Sequence, residues 1–210
     1  LGEARNWAMQ FVAGKYLAFL DVDDLWLPQK LQLQVEQLEN NLDYNLSYTG
    51  NYIIDEKSIV VGKKRPKLNS GYVFPALLKR YEINQQTVLL RFDRRYCYFS
   101  GEYNFCPDYN IFMRVSAEFE VGVINQCLVN YRKHSLSLTS NKVDRWWIEG
   151  KMTLDCILNS NPELKERYPR EFSFAYAKIL FYKSIYFLSI GDDAQARLQL
   201  KKIRFRSEIF

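Results

Sequence analysis

A nearly continuous apolar run, Lys15-Tyr-Leu-Ala-Phe-Leu20, stops abruptly at Asp21-Val-Asp-Asp24, after which Pro28 opens a helical pattern with Leu31, Val35 and Leu38 on one stripe. A run of that length and aromatic content fits a strand buried on both faces of a sheet, and a helix following at once fits a layered α/β arrangement. Upstream, Ala4, Trp7, Ala8 and Phe11 carry the three-and-four spacing of an amphipathic helix, which Gly14 stops. The order is therefore helix, strand, acidic turn, helix.

The same reading predicts strands over Asn45 to Ile54 and Lys57 to Val61 around an Asp55-Glu56 turn, then a basic loop from Gly62 to Ser70. A helix follows near Val73 to Arg80, a buried strand at Thr87 to Arg91, and an irregular aromatic loop from Tyr96 to Phe105. Pro107 to Phe119 reads as a helix with Ile111, Phe112, Val115 and Phe119 inward, and Val121 to Ile124 and Leu128 to Tyr131 return as strand. Helices alternating with buried strands argue for an α/β sheet domain, since parallel crossovers place helices on the sheet faces. From Val143 onward the pattern is helical only, over Trp146 to Leu158, Glu163 to Ile190 and Ala194 to Ile203, with Gly191-Asp-Asp193 as a turn. The expected division is a sheet domain over 1–140 and a helical extension over 141–210.

Composition narrows the class. Of 210 residues, 48% are hydrophobic and 25% charged, a globular balance, and no apolar run approaches the ~20 residues of a membrane-spanning helix. The chain opens on Leu1 inside a helical pattern, which suggests a piece of something longer. The net charge of +5, partly local to Lys63, Lys64, Arg65 and Lys67 and to Lys201, Lys202, Arg204 and Arg206, weakly favours an anionic partner. Scattered basic residues without a known module argue against nucleic acid. Cys97, Cys106, Cys127 and Cys156 show neither CxxC pairs nor metal-ligand spacing, so they read as reduced thiols of a cytoplasmic protein. With His134 the single histidine, catalysis would run on carboxylates.

Two carboxylates one residue apart at a strand end project to the same side, so Asp21 and Asp23 can share one divalent cation. Mg²⁺ or Mn²⁺ needs only one or two carboxylates when phosphates supply the remaining oxygens, which points to metal-diphosphate chemistry. The plainer alternative is that acidic residues end strands and cap helices, and Asp24 reads as such a cap.

Gly2-Glu-Ala-Arg-Asn6, followed by Ala13-Gly-Lys-Tyr-Leu-Ala-Phe-Leu-Asp-Val-Asp-Asp-Leu-Trp-Leu-Pro-Gln-Lys-Leu31, resembles the central segment of family 2 glycosyltransferases of the GT-A fold. Pro107-Asp-Tyr-Asn-Ile-Phe-Met-Arg114 is similar to the family's second acidic motif and Tyr131-Arg-Lys-His134 to its Tyr-Arg-x-His end, so the likeness covers about residues 1–140. It implies inverting transfer of a sugar from a nucleotide diphosphate donor to the hydroxyl of a glycan or lipid-linked acceptor, as in bacterial cell-surface polysaccharide synthesis. Asp23 with Asp21 would hold Mn²⁺ or Mg²⁺ on the leaving diphosphate, with His134 as a further ligand. Asp108 would be the general base, although as a bare residue it reads rather as a helix cap. Arg5 and Arg132 would contact the nucleotide or its phosphates, although Arg5 alone reads equally as a surface arginine. Trp26 would flank the donor sugar or simply pack.

Two features depart from the family pattern. Pro107 stands where the family usually has Glu, and the family's first β-α units, with the uridine pocket, have no counterpart, which implies that these 210 residues alone are inactive. Two other functions compete. A haloacid dehalogenase-type phosphatase also carries Asp-x-Asp after a strand, but that class has a small residue and then Thr after its second aspartate, where this chain has Asp24-Leu25-Trp26. The other is a non-catalytic remnant that binds a membrane or partner. The tail Lys201 to Arg206, alternating with Ile203 and Phe205, would suit an anionic membrane face.

Overall fold

The computed structural model describes residues 2–99, 101–133 and 146–203. Helix α1 (Gly2–Met9) leads to β1 (Tyr16–Ala18), the acidic turn, a two-residue strand β2 (Leu25–Trp26) and α2 (Lys30–Asn40). There follow β3 (Tyr44–Ile54), β4 (Val60–Lys64), α3 (Phe74–Lys79), a 3₁₀ turn (Gln85–Thr87), β5 (Val88–Arg91), α4 (Pro107–Glu118) and β6 (Glu120–Arg132). Among the described residues four helices follow: α5 (Trp146–Ser160), α6 (Glu163–Arg167), α7 (Pro169–Ser189) and α8 (Asp193–Lys202). An α/β sheet region followed by a helical region is what the sequence pattern predicts.

The six strands form one sheet in the order β1-β5-β3-β6-β2, with β4 paired to the outer half of β3. Only β3 and β6 run parallel, and every other pairing is antiparallel. The sheet is thus mixed, because β5 and β2 are inserted against the direction of their neighbours. The consequence for function is direct. Since β1 and β3 both run antiparallel to β5, and β6 runs with β3, the carboxyl ends of β1, β3 and β6 lie at one edge, together with the entry to β5. Open α/β sheets bind ligands at such an edge.

Strand alternation divides the sheet faces. Leu46, Tyr48, Val88 and Leu90 enter the main core with Phe74, Leu77, Ile111, Phe112 and Val115, while Ser47, Thr49 and Leu89 belong to the opposite pleat. The C-terminal helices join that same core through Leu154, Ile157, Phe172, Ala175 and Ile179. The expected helix from Glu163 to Ile190 is two, α6 and α7, because Pro169 lacks an amide hydrogen and begins a new helix.

Three patterns differ from expectation for physical reasons. β1 is only half-buried, since it pairs along one side, with β5, and borders a groove of about 280 Å³ shared with α1. The predicted stripe faces outward, with Trp7 of α1 64% exposed and Phe11, just past the helix end, 70% exposed, while Arg5, Asn6 and Met9 turn inward. In α2 the inward residues are Lys30, Gln34 and Leu38, while Leu31 is exposed. Polar side chains win there because backbone carbonyls beneath α2 take donors from it: Gln34 Nε2 donates to Ser47 O in β3 and to Thr87 O just before β5, at 2.9 Å each, and Lys30 Nζ to Val88 O at 3.3 Å. The β3–β4 turn is longer than expected, as the Asp55 carboxylate accepts from Lys57 N at 2.9 Å and Ile59 N at 2.8 Å and displaces β4 to Val60–Lys64.

The register of β3 on β6 shifts at Gly50, where the partner jumps from Ile124 to Cys127. A Cβ at Gly50 would sit 2.6 Å from Lys64 O and 3.1 Å from both Cys127 Sγ and Pro66 Cδ. Gly50→Ala should therefore lower stability by about 1–3 kcal/mol in urea unfolding. Gly62→Ala, whose nearest neighbour would be Ile53 Cδ1 at 3.6 Å, serves as the near-neutral comparison.

Candidate active site

The chain leaves β1 at Ala18 and reverses through Asp21–Asp24, closed by Asp24 N donating to Asp21 O at 3.2 Å. Val22 projects fully into solvent at the tip. Three residues from elsewhere, Arg5, Gln86 and Arg132, hold this turn. Arg5 of α1 donates to Asp21 Oδ1 at 3.2 Å, and its guanidinium lies 5.9 Å from the Phe19 ring and 5.5 Å from the Phe99 ring. The neighbouring Asn6 exchanges hydrogen bonds with the backbone of Phe99, donating to its carbonyl and accepting from its amide at 2.8 Å. Adjacent residues of one helix thus tie the acidic turn and the aromatic loop together.

From the other side, Gln86 brackets Asp21: its Oε1 accepts from Asp21 N at 2.9 Å and its Nε2 donates to Asp21 Oδ2 at 2.5 Å. Asn84 Oδ1 accepts from Gln86 N at 3.0 Å, and Gln86 O accepts from Trp26 Nε1 at 2.9 Å. Trp26 is therefore anchored under the turn by its indole N–H.

Asp24 is not a helix cap. It is 4% exposed and accepts from Arg132 N at 2.7 Å, while Gln29 stands at the start of α2. Burial pushes the Asp24 carboxyl up to about 6, opposed by the Arg132 hydrogen bond and reinforced by Asp23 and Asp21. Arg132, at the end of β6, donates through Nε to Asp23 O at 2.9 Å, and through Nη1 to Asp55 O at 2.8 Å and Ser58 Oγ at 3.0 Å. Those bonds make it a staple between the acidic turn and the β3–β4 turn.

Asp108 opens α4, in its first turn. Desolvation raises its carboxyl above the ordinary range, the backbone amides of Tyr109 and Asp108 and the Arg5 charge oppose that rise, and Asp21 adds to it. Arg5, Asp21 and Asp108 are thus within one electrostatic neighbourhood, although they come from three separate elements. Arg114, two turns along α4, donates to Tyr98 O at 2.7 Å and stacks on the Tyr98 ring at 4.0 Å, which fixes the aromatic loop beside Asp108. His134 lies outside the described residues. Among the described residues, no group of three or more His, Cys, Asp or Glu side chains could hold a metal unaided.

Sequence reasoning missed Gln86 and Asn84, which carry no pattern signal, and gave Lys30 no role although it lies in the Trp26-Leu-Pro-Gln-Lys-Leu31 helix entry. Lys30 is fully buried, with its ammonium 4.3 Å from the Trp26 ring, and burial lowers it to about 7. The unfolded chain keeps that proton to about 10.5, so between the two values the unfolded state binds more protons and stability rises with pH, by at most ~1.4 kcal/mol per pH unit. Lys30→Met lacks this dependence. Its stability relative to the unaltered protein, from urea curves, should be most favourable at pH 7 and fall steadily toward pH 9; a difference constant with pH would refute the buried-lysine account.

With this geometry in view, comparison with known proteins gives one family. Residues 1–118 match Glycosyl transferase family 2, and the chain belongs to that family. It is 33% identical over 143 residues to the UDP-Glc:alpha-D-GlcNAc-diphosphoundecaprenol beta-1,3-glucosyltransferase WfgD of Escherichia coli, covering 66% of this chain and 54% of that protein. A second protein of the same descriptive name, WfaP of Escherichia coli, is 33% identical over 144 residues, with the same coverages. The chain spans about half the length of these relatives. Its fold is similar to S. aureus TarS 1-349, with a TM-score of 0.52 at 12% identity, over 95% of this chain and 69% of that one. The sheet region is accordingly of the GT-A type, with a helical C-terminal region. The phosphatase alternative falls with this family assignment.

Proposed function

We propose that the whole protein is an inverting glycosyltransferase that moves a sugar from a nucleotide diphosphate donor to a hydroxyl of a lipid-linked glycan acceptor. The observation that carries this is the convergence of Arg5, Asp21 and Asp108 at the carboxyl edge of the co-directed strands. Two relatives whose names specify UDP-Glc and a diphosphoundecaprenol acceptor make UDP-glucose the first donor to try.

The donor set fits a hard cation such as Mn²⁺ or Mg²⁺. The Asp21 side chain is half-exposed at the ligand edge, Asp23 stands beside it, and a site with so few protein oxygens suits a cation whose remaining ligands are phosphate and water. Asp21 and Asp23, with His134 as a further ligand, would hold it, and it would supply charge neutralisation at the departing diphosphate. Arg5, already on Asp21, is placed to bind the same phosphates, and Arg132 acts on them through the turn that it staples. Asp108 accepts the acceptor hydroxyl proton as that oxygen bonds to the anomeric carbon and the carbon–phosphate oxygen bond breaks, releasing the nucleoside diphosphate with inversion. A base raised above the ordinary carboxylate range is matched to a proton lost late in attack.

Nucleotide binding is read by thermal shift with UDP and UDP-glucose, with and without Mn²⁺. Ligand at ~100 times its Kd should add about 2.7 kcal/mol of stability, and the shift should vanish in Asp21→Asn with Asp23→Asn. Asp108→Asn should keep that shift while kcat falls about 10²- to 10⁴-fold. Because the base must be ionised, kcat should decline as pH drops through a value above the ordinary aspartate range. A Mn²⁺-independent shift, or full turnover by Asp108→Asn, would remove the corresponding assignment, and no shift with any nucleotide would favour the non-catalytic alternative.

A membrane-linked acceptor also suits the surface of α7, where Phe181, Ile185 and Leu188 are exposed at spacings of four and three, with Lys201 and Lys202 on α8. Co-sedimentation with anionic liposomes should weaken in Phe181→Ser with Ile185→Ser; unchanged binding would reject this contact.

A further inference from the structure

The helical C-terminal region does more than cover the sheet: one of its carboxylates reaches the loop that presents Asp108. Glu149, in the first turn of α5, is 3% exposed. Its Oε1 accepts from Asn104 N at 2.7 Å and Phe105 N at 2.9 Å, and its Oε2 from Phe105 N at 3.0 Å and Cys106 N at 2.7 Å. Three consecutive backbone amides therefore converge on a single carboxylate. Successive N–H groups arranged in this way form a concave anion-binding nest, and here a side chain of the same protein fills it. The next two residues are Pro107, the first residue of α4, and Asp108.

A second contact fixes the same end of α4. Thr153, one turn beyond Glu149 and fully buried, accepts from Asn110 Nδ2 at 3.4 Å and donates to Tyr103 OH at 3.3 Å. At the opposite end, Asn161 Nδ2 donates to Glu118 Oε1 at 2.8 Å, with Leu154 and Ile157 buried in the seam between. Helix α5 thus lies along α4 from its first turn to its last, in the same direction, with Glu149 at the catalytic end. Nothing in a helix packing of this kind requires a buried acid. An apolar residue would serve the seam, and the three amides could turn to water, so the buried carboxylate is explained by what it holds.

We propose that Glu149 is a positioning residue for glycosyl transfer: by clamping Asn104, Phe105 and Cys106 it sets the start of α4, and with it the placement of the Asp108 carboxylate against the acceptor hydroxyl. This rests on the reading of Asp108 as the base. An irregular loop of aromatic residues has no backbone ladder of its own to fix it, and a misplacement of about 1 Å at a reacting group costs on the order of 10²-fold in rate. The clamp also gives the C-terminal helices a part in the chemistry.

The test compares Glu149→Gln with Asp108→Asn in the full-length enzyme, using UDP-glucose and a short-chain α-GlcNAc-diphospholipid. Glutamine keeps the size and one acceptor oxygen but turns an NH₂ toward one side of the nest. The expected result is a kcat at least ~20-fold lower with the donor KM within about twofold, alongside a larger kcat loss in Asp108→Asn. Turnover by Glu149→Gln within twofold of the unaltered enzyme, while Asp108→Asn is inactive, overturns the positioning role and leaves the function intact. Full activity of Asp108→Asn overturns both. A loss divided equally between kcat and donor KM means general loosening and also overturns it. Amide hydrogen exchange on the unaltered protein needs no substrate and no variant: Asn104, Phe105 and Cys106 should exchange as slowly as Ile111 to Val115, and exchange at open-loop rates refutes the clamp whether or not the glucosyl donor is right.

Discussion

An acidic turn at the edge of a sheet is an unstable object unless something restrains it. Asp21, Asp23 and Asp24 crowd three carboxylates into four residues, and their mutual repulsion would open the loop if each faced water independently. The structure resolves this by giving the carboxylates different environments. Asp24 goes inward, onto the Arg132 backbone amide, where burial and its neighbours favour the protonated form. Asp21 stays at the surface between Arg5 and Gln86. Arg132 then draws the Asp23 carbonyl and the β3–β4 turn to one point. The remaining site geometry depends on that distribution, because it fixes which acids can face a ligand.

The restraints come from parts of the chain far apart in sequence: α1, the 3₁₀ turn before β5, the end of β6, and α5 through its grip on the aromatic loop. This explains why the mixed sheet matters. β1, β3 and β6 run together while β5 runs against them, so three strand exits and one strand entry meet at the same edge. The turn after β1 then carries Asp23 and Asp24 across to Arg132 at the end of β6. The unusual buried polar residues of α2 serve the same sheet, since Lys30 and Gln34 donate to the Ser47, Thr87 and Val88 carbonyls beneath it.

The inward faces of α1 and α2 show where pattern reading fails. Hydrophobic periodicity assigns Trp7 and Phe11, and Leu31, to the interior, yet Arg5, Asn6, Lys30 and Gln34 are the residues turned in. Periodicity measures the transfer of apolar surface and is blind to the need of buried backbone groups for partners. Near a ligand edge that second requirement dominates. Periodicity succeeds where the core is purely apolar: α4 buries Ile111, Phe112 and Val115 as its spacing requires, and β3 and β5 lie where their apolar runs place them.

By itself the sequence determined most element types, the helical character of the described residues from Trp146 onward, and the acidic turn with its spacing of Asp21 and Asp23, because these depend on local periodicity and on adjacent residues. The family was legible from motifs in linear order. Only the tertiary structure decided that Asp24 is a buried strut rather than a cap, that Arg132 staples two turns, that Gln86 brackets Asp21, and that Glu149 holds the loop before Asp108. Each of these is a hydrogen bond between groups separated by more than forty positions. No local pattern encodes such a pairing, because it exists only once the strands have set their directions and brought their ends to a common edge.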